Sequence, residues 1–324
     1  MRCRCCIITG TVSVHLKLLL ACLFWGLTPT IGRVLAEFKA PFVVVCGRFM
    51  VAAVFLLWFC FAAQQFRRVP KALWWRFAAM GASGIALHNG LLYKGLEYTS
   101  ASTASIVVAL ISIQVVILDT LVYRRLPDRL TAVGVILSFI GTALVLTDGH
   151  LGQLFVIGVG RGEVLAFLSA LSWAVYSLLG RALLEAYSPL LVTTYAALAG
   201  LAMLLPFLFV DDVATVAVFS DPRALLLMFF LGLVGTALGF LWYSQALLSL
   251  GTVGTAVYIN LTPIFGVIAA SLLLGEKSSH AVVAGGALVC ASLMLVNRPQ
   301  WPWRRAAVDA VPPAVPVSRP SRAR

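Results

Sequence analysis

Charge is what this chain has least of. Only 11% of its 324 residues are charged, against about 25% in an average soluble domain, and 12 Asp and Glu stand beside 24 Lys and Arg. With 61% of the residues hydrophobic, too little polar surface remains to cover a water-soluble fold. No Gly-rich loop ending in Lys-Ser or Lys-Thr is present, so the phosphate cradle of a nucleotide hydrolase is excluded. The seven cysteines, Cys3, Cys5, Cys6, Cys22, Cys46, Cys60 and Cys290, lie at the N-terminus or inside apolar segments. They lack zinc-ligand spacing and pairing across loops, which reads them as small hydrophobes and not a disulfide framework. Neither a metal nor a cofactor is expected.

What fills the chain instead is a series of apolar runs, with a mean hydropathy of +0.99. Each run is about 20 residues long, the length an α-helix needs to cross a hydrocarbon core about 30 Å thick. The runs predict spans near 16–36, 42–63, 73–96, 101–123, 130–147, 162–184, 189–210, 223–248, 252–274 and 281–297. Short polar breaks separate them, the weakest near 97–100 and 249–251. Backbone amides find no water in hydrocarbon, so only helices or a closed barrel can span it. Long runs without alternating polarity exclude the barrel. The predicted fold is all-α and integral to the membrane, with ten transmembrane helices.

Basic residues set the expected orientation. With the N-terminus in the cytoplasm, the cytoplasmic side collects 17 of the 24 Lys and Arg, among them Arg67, Arg68, Arg124, Arg125 and six arginines of the tail. Both termini and the 64–71 and 124–129 loops are then cytoplasmic, and 211–222 and 276–280 lie outside. The net charge of +12 calls for no nucleic acid, because a basic rim facing anionic headgroups of the lipid bilayer accounts for it. The first span lacks an Ala-x-Ala-like cleavage site and is expected to be retained. Residues 1–14 form a short cytoplasmic segment, and 298–324, rich in Pro and Arg, read as a disordered cytoplasmic tail.

Residues 15–147 resemble residues 161–297. A shift of 148 superposes Trp25 on Trp173, Gly32 on Gly180, Arg33 on Arg181, Glu37 on Glu185 and Pro41 on Pro189. A shift of 151 superposes Leu96 on Leu247, Leu110 on Leu261, Ile113 on Ile264, Ile117 on Ile268, Gly134 on Gly285 and Val145 on Val296. A three-residue length change reconciles the two. Five spans per repeat is an odd number, so the second repeat must enter the membrane from the opposite face. Inverted repeats recur in transporters, where two halves exchange conformations around one central site.

Several motifs stand in a specific order: Phe24-Trp25-Gly26, Arg48-Phe49, Gly95-Leu96-Glu97-Tyr98-Thr99-Ser100-Ala101, and Thr262-Pro263 followed by Leu272-Leu273-Leu274-Gly275-Glu276. In this the chain resembles the EamA-type branch of the drug/metabolite transporter superfamily, across roughly 15–297. The resemblance implies ten helices, cytoplasmic termini and a central cavity lined mainly by spans 1, 3, 4, 6, 8 and 9. It implies a secondary transporter, exporter or exchanger, of a small organic metabolite, amino acid or drug-like solute, in the inner membrane of a bacterial cell and without ATP hydrolysis. Two positions depart from the family's pattern: Ser112 fills the proline slot of span 4, and Arg125 replaces the glutamate after it, whereas Pro263 and Glu276 are kept.

Intramembrane polar groups are costly and draw attention first. Trp25, Thr28, Asn89, Tyr93, Trp173, Tyr176, Trp242, Tyr243, Gln245, Tyr258, Asn260 and Thr262 are candidate substrate-binding residues. Aromatic bodies with polar tips suit a cavity for an amphiphilic solute. Arg48, about two turns into span 2, is either a gate or contact for an anionic or zwitterionic substrate, or a tie to helix-end carbonyls. Asp119 is either a coupling carboxylate or an interfacial ion pair with Arg124 and Arg125. Lys94 with Glu97, Arg33 with Glu37 and Arg181 with Glu185 have helix-pair spacing, and Glu163 suits a helix N-terminus. Pro263 has no amide hydrogen, so it is expected to bend span 9 and free the carbonyl of Ile259.

An enzyme is the rival class. Gly81-Ala82-Ser83-Gly84 superficially matches the motif of rhomboid-like intramembrane serine proteases, with His88 or His280 as a base. His88 is five residues from Ser83, off its helical face, and small residues in a membrane helix serve close packing.

Overall fold

The computed structural model describes residues 4–38, 41–155, 159–209, 218–274 and 280–298. The tail beyond Arg298, Glu276, most of the 211–222 and 276–280 loops and the side chains of Cys3, Cys5, Cys6 and Arg33 lie outside them. Among the described residues there is no strand. The helices are α1 (Arg4–Leu35), α2 (Pro41–Ala62), α3 (Trp74–Gly81), α4 (His88–Leu96), α5 (Ala101–Val108), α6 (Ile111–Tyr123) and α7 (Arg129–Leu146). They continue as α8 (Arg161–Leu184), α9 (Pro189–Leu204), α10 (Pro222–Phe230), α11 (Gly239–Ile259), α12 (Leu261–Leu274) and α13 (His280–Val296). Two π-helical turns, Ala82–Leu87 and Leu231–Leu238, join α3 to α4 and α10 to α11.

Local chemistry marks many of the ends. Ser100, Asp128, Ser188 and Asp221 cap α5, α7, α9 and α10 by accepting from backbone amides of the first turn. Pro189 and Pro222 follow two of these caps, where a missing amide hydrogen costs nothing.

Among the described residues, six stretches are long and apolar enough to cross a membrane: Phe42–Ala62, Thr103–Tyr123, Arg129–Leu146, Arg161–Leu184, Pro189–Leu208 and Pro222–Ile259. The last has 38 residues and would run about 57 Å as one rod at 1.5 Å per residue, nearly twice the hydrocarbon thickness. It is not one rod. Gly251 sits inside it at φ 77°, ψ 179°, a backbone state that side chains with a Cβ rarely adopt. The expected break near 249–251 is therefore a single glycine hinge and not a loop. The outer surface is apolar, with Val54, Phe61, Leu121 and Met294 exposed, as a belt facing lipid tails requires.

Helix contacts repeat along the chain. Where a Cβ on Gly81 would stand, the carbonyl oxygen of Ala196 lies 2.6 Å away; for Gly232 the oxygen of Arg48 lies 2.7 Å away. Gly134 is pressed by Val296 and Ser292, and Gly285 by Val145 and Gly141. Gly84 faces Tyr176, and Gly235 faces Thr28. In each case glycines 151 apart meet residues 148 or 151 apart. α7 packs along α13, α2 along α9, α1 against α11 and α12, and α8 against α4, α5 and α6.

Candidate functional site

The centre of the bundle is aromatic. Trp25 on α1 lies edge-on to Trp173 on α8 at 5.5 Å, and Trp173 lies 5.2–5.4 Å from Tyr176, Phe240 and Tyr243. Phe49 on α2 closes the cluster against Phe240 at 5.8 Å. The rings meet because α8 presents Trp173 and Tyr176, and α11 presents Phe240 and Tyr243, three residues apart on one face. The polar tips of Trp25, Trp173 and Tyr243 are used internally. The Tyr243 hydroxyl receives Trp173 Nε1 at 3.2 Å and pairs with Ser177 Oγ at 2.7 Å. Trp25 Nε1 donates to Gly235 O at 2.7 Å, a carbonyl of the second π turn. Tyr176 and Tyr243 are fully buried. This is a closed centre. The sequence pointed to Trp25, Trp173, Tyr176 and Tyr243 and gave Phe49 only as part of the Arg48-Phe49 motif, but passed over Phe240 and Ser177, which carry no pattern beyond their helical spacing.

A polar cluster borders the rings. Arg48 Nη2 donates to Asn89 Oδ1 at 2.9 Å, and Asn89 Nδ2 to Ile85 O, in the first π turn, at 2.7 Å. The guanidinium also covers the Phe49 ring at 5.1 Å. Arg48 thus reaches the helix backbone through Asn89 and not directly, and its Nε is buried without a partner. Beside it, His88 lies tilted against Trp173 at 4.9 Å and shares Nδ1 with Ser169, whose hydroxyl donates to His88 O at 2.8 Å. Tyr93 packs on the core nearby. Thr28 donates within its helix, to Phe24 O, and Phe24 stacks on Trp242.

The remaining candidates lie elsewhere. Gln245 accepts from Lys17 Nζ at 3.1 Å, and the Tyr258 hydroxyl meets His15 Nδ1 at 2.5 Å. Asn260 is buried, and its Nδ2 donates to Ser112 Oγ at 3.1 Å and Ser138 Oγ at 2.8 Å. It knits the α11–α12 junction to α6 and α7, apart from the ring cluster. The helix breaks at Asn260, just before Pro263, while Thr262 follows on α12. Carbonyls at the break are taken by side chains, Tyr258 O by Cys22 Sγ and Asn260 O by Thr142 Oγ1. The other half breaks too, at Ala109-Leu110, 151 residues before Asn260-Leu261. The first half therefore breaks with Ser112 at the position where the second half has Pro263.

Two expected pairings are corrected, and the rival serine–histidine dyad is not formed. Asp119 forms no ion pair with Arg124 or Arg125; it accepts from Thr252 Oγ1, joining α6 to α11 just past the Gly251 hinge. Sequence spacing could not reveal a partner 133 residues away. Arg181 does not meet Glu185 but donates to Leu247 O and Leu248 O at 2.8 and 3.0 Å, carbonyls left free ahead of the hinge. Ser83 donates to Met80 O, and His88 turns to Ser169, so the protease dyad does not form. The glycines of that stretch serve packing: a Cβ on Gly84 would overlap the Tyr176 ring. Lys94 does pair with Glu97 at 2.6 Å, and Glu163 accepts from Gly160 N at the start of α8 and from Thr99.

An open space lies away from the rings. A cavity of about 500 Å³ opens at one end of the bundle, lined by Asp119, Arg125, Asp128, Thr131, Gly251 and Thr252 among others. Bundle, closed aromatic centre and apolar exterior define a multi-pass helical membrane protein. The sequence profile of the EamA-like transporter family matches residues 12–147 and 160–298, so the chain belongs to the EamA-like transporter family. A protein of Archaeoglobus fulgidus named "Uncharacterized transporter" is 27% identical over 288 residues, 89% of this chain and 98% of its own. A Streptantibioticus cattleyicolor protein named "Probable terminal-alkyne amino-acid exporter" is 30% identical over 226 residues, 68% of this chain and 72% of its own. A solved crystal structure superposes with a TM-score of 0.70 at 16% identity, covering 89% of this chain and 99% of that one. That likeness speaks for the fold alone.

Proposed function

We propose that this chain is a secondary transporter in which ten membrane helices form two inverted five-helix halves, 15–147 and 161–297, that alternately expose the aromatic centre to the two sides. The reciprocal glycine contacts carry the reading: Gly81 on Ala196 answers Gly232 on Arg48, and Gly134 on Val296 answers Gly285 on Val145. Contacts that recur with each partner shifted by 148 or 151 residues are what an exchange of two like halves around one axis requires. The Gly251 hinge supports counting Pro222–Ile259 as the eighth span and the start of the ninth.

The substrate is a small organic solute, an amino acid or another metabolite or drug-like molecule, moved without ATP. The exporter named among the relatives supports net efflux. Both termini face the cytoplasm, in a bacterial inner membrane, on the strength of the basic residues. The lining is Trp25, Trp173, Tyr176 and Tyr243 with Arg48, Asn89 and Tyr93 at one end, and Asp119 and Pro263 belong to the moving parts.

Purified protein in liposomes should exchange at least one radiolabelled solute from a panel of amino acids, nucleosides, sugars and lipophilic cations, with no nucleotide added. A chain ending at Arg298 should do so at the parent rate. A strict nucleotide requirement, or no exchange of any solute, would overturn the reading.

A further inference from the structure

We propose that Arg48 is the substrate's carboxylate-binding residue, so that the solute carried is an acid or zwitterion with an apolar body. This rests on the transporter reading above.

The starting observation is an imbalance of charge. Arg48 sits about two turns inside α2, and among the described residues no carboxylate is within ion-pair distance of it. Its neighbours bring no carboxylate: they are the Asn89 amide, the Phe49 face, Tyr93 and the Ser169-bonded His88. A cation held inside a membrane protein without a counter-ion is expensive. A purely structural tie to Asn89 could be made by a neutral glutamine, which would bring no charge to bury.

The guanidinium is also incompletely used. One Nη donates to Asn89 and the buried Nε donates to nothing. A planar fork with donors to spare is the geometry that grips a carboxylate by two parallel hydrogen bonds. Asn89 fixes the fork, because its own amide is anchored on Ile85 O in the π turn.

What adjoins the fork sets the rest of the ligand. Phe49 beneath the guanidinium leads to Phe240, and His88 leads to Trp173 at 4.9 Å. From Trp173 the ring surface runs on to Trp25 and Tyr243. A solute with its carboxylate on Arg48 would lay its apolar part against these rings once the halves part. The equivalent place in the other half holds Ala196, 148 residues on, so the cationic end has no counterpart at the matching position. The bound solute therefore has a single orientation.

The test uses three acids, L-phenylalanine, L-leucine and phenylacetate, and the primary amide of each, in proteoliposome exchange with the full chain. At least one acid should be exchanged, with a kcat/KM at least 30-fold above that of its amide. R48Q should lose that preference, and R48K should restore part of it, with the change carried by KM and not by kcat. Melting temperatures of R48Q and N89A in detergent separate a structural tie: if both variants melt early and slow all solutes alike, Arg48 is a tie and the proposal falls. It falls equally if amides pass as well as acids, or if only neutral or cationic solutes pass, outcomes that leave the transporter reading standing. If no solute of any class passes, both readings fall together.

Discussion

Gly81 and Gly232 are 151 residues apart, and each holds a neighbouring helix's backbone oxygen in the space a Cβ would fill, Ala196 O at 2.6 Å and Arg48 O at 2.7 Å. Backbone oxygens cannot rotate aside as a flexible side chain can. Gly81→Ala and Gly232→Ala should each lower the melting temperature in detergent, by an overpacking cost of about 1–3 kcal/mol. Gly90→Ala, whose Cβ would meet nothing within 4 Å, is the control. Equal melting of all three variants and the parent would mean that the helices can part at these crossings without cost.

The junction of α11 and α12 offers a second measurement. Asn260 holds two buried hydroxyls, Ser112 and Ser138, across two other helices, so Asn260→Ala strands polar groups where no water reaches. The expected result is a stability loss of about 1–3 kcal/mol with an unaltered KM for any transported solute. A raised KM at normal melting temperature would instead put the Asn260 amide in contact with the solute.

Asp128 gives a pH dependence outside the spans. It accepts from Thr131 N at 3.1 Å and from Arg298 Nη2 at 2.5 Å. Burial alone would raise its carboxyl, but the hydrogen bonds from Arg298 and Thr131 outweigh burial and hold it well below the usual carboxylate range. A carboxyl depressed by folding stabilises the folded state fully above its unfolded value of about 3.9, and less as the pH falls further. Asp128→Ala should therefore melt earlier than the parent by a cap-sized amount, about 0.5–2 kcal/mol, at neutral pH. The gap should persist to about pH 5 and narrow only below about pH 4. A gap that closed between neutral pH and about pH 5 would contradict this.

Orientation is checked by cysteine labelling in a cysteine-free background. Gln65 and Gln153 are both exposed, and the proposed topology puts the first in the cytoplasm and the second outside. A membrane-impermeant maleimide added to intact cells should label Gln153→Cys and spare Gln65→Cys until the cells are opened. The reverse pattern would invert the protein, and labelling of both would change the number of crossings between them.

The features legible in the sequence are those fixed by neighbours in the chain. Ser188-Pro189 and Asp221-Pro222 start helices because cap and proline act within one turn, and apolar runs announce spans because hydrocarbon thickness sets their length. The Trp25–Trp173 meeting was legible through the internal similarity, since matching positions in two halves converge on one centre. Asp119 with Thr252, Arg181 with the Leu247 and Leu248 carbonyls, and Asn260 with Ser112 and Ser138 were not legible. Their partners are 66 to 148 residues distant, and buried polar atoms take whichever partner packing brings within reach.

By itself, then, the sequence determined that the chain crosses a membrane as helices, where they cap and where the two halves resemble each other, because these depend on local propensity and on the apolar solvent. Only the tertiary structure decided that two π turns would face the aromatic centre, that Gly251 would be a hinge and not a loop, and that Arg48 would stand with no carboxylate of the described residues paired to it. Such outcomes turn on which helix lies against which, and a hydrogen bond or a charge acquires its meaning from the groups that packing places within a few ångströms.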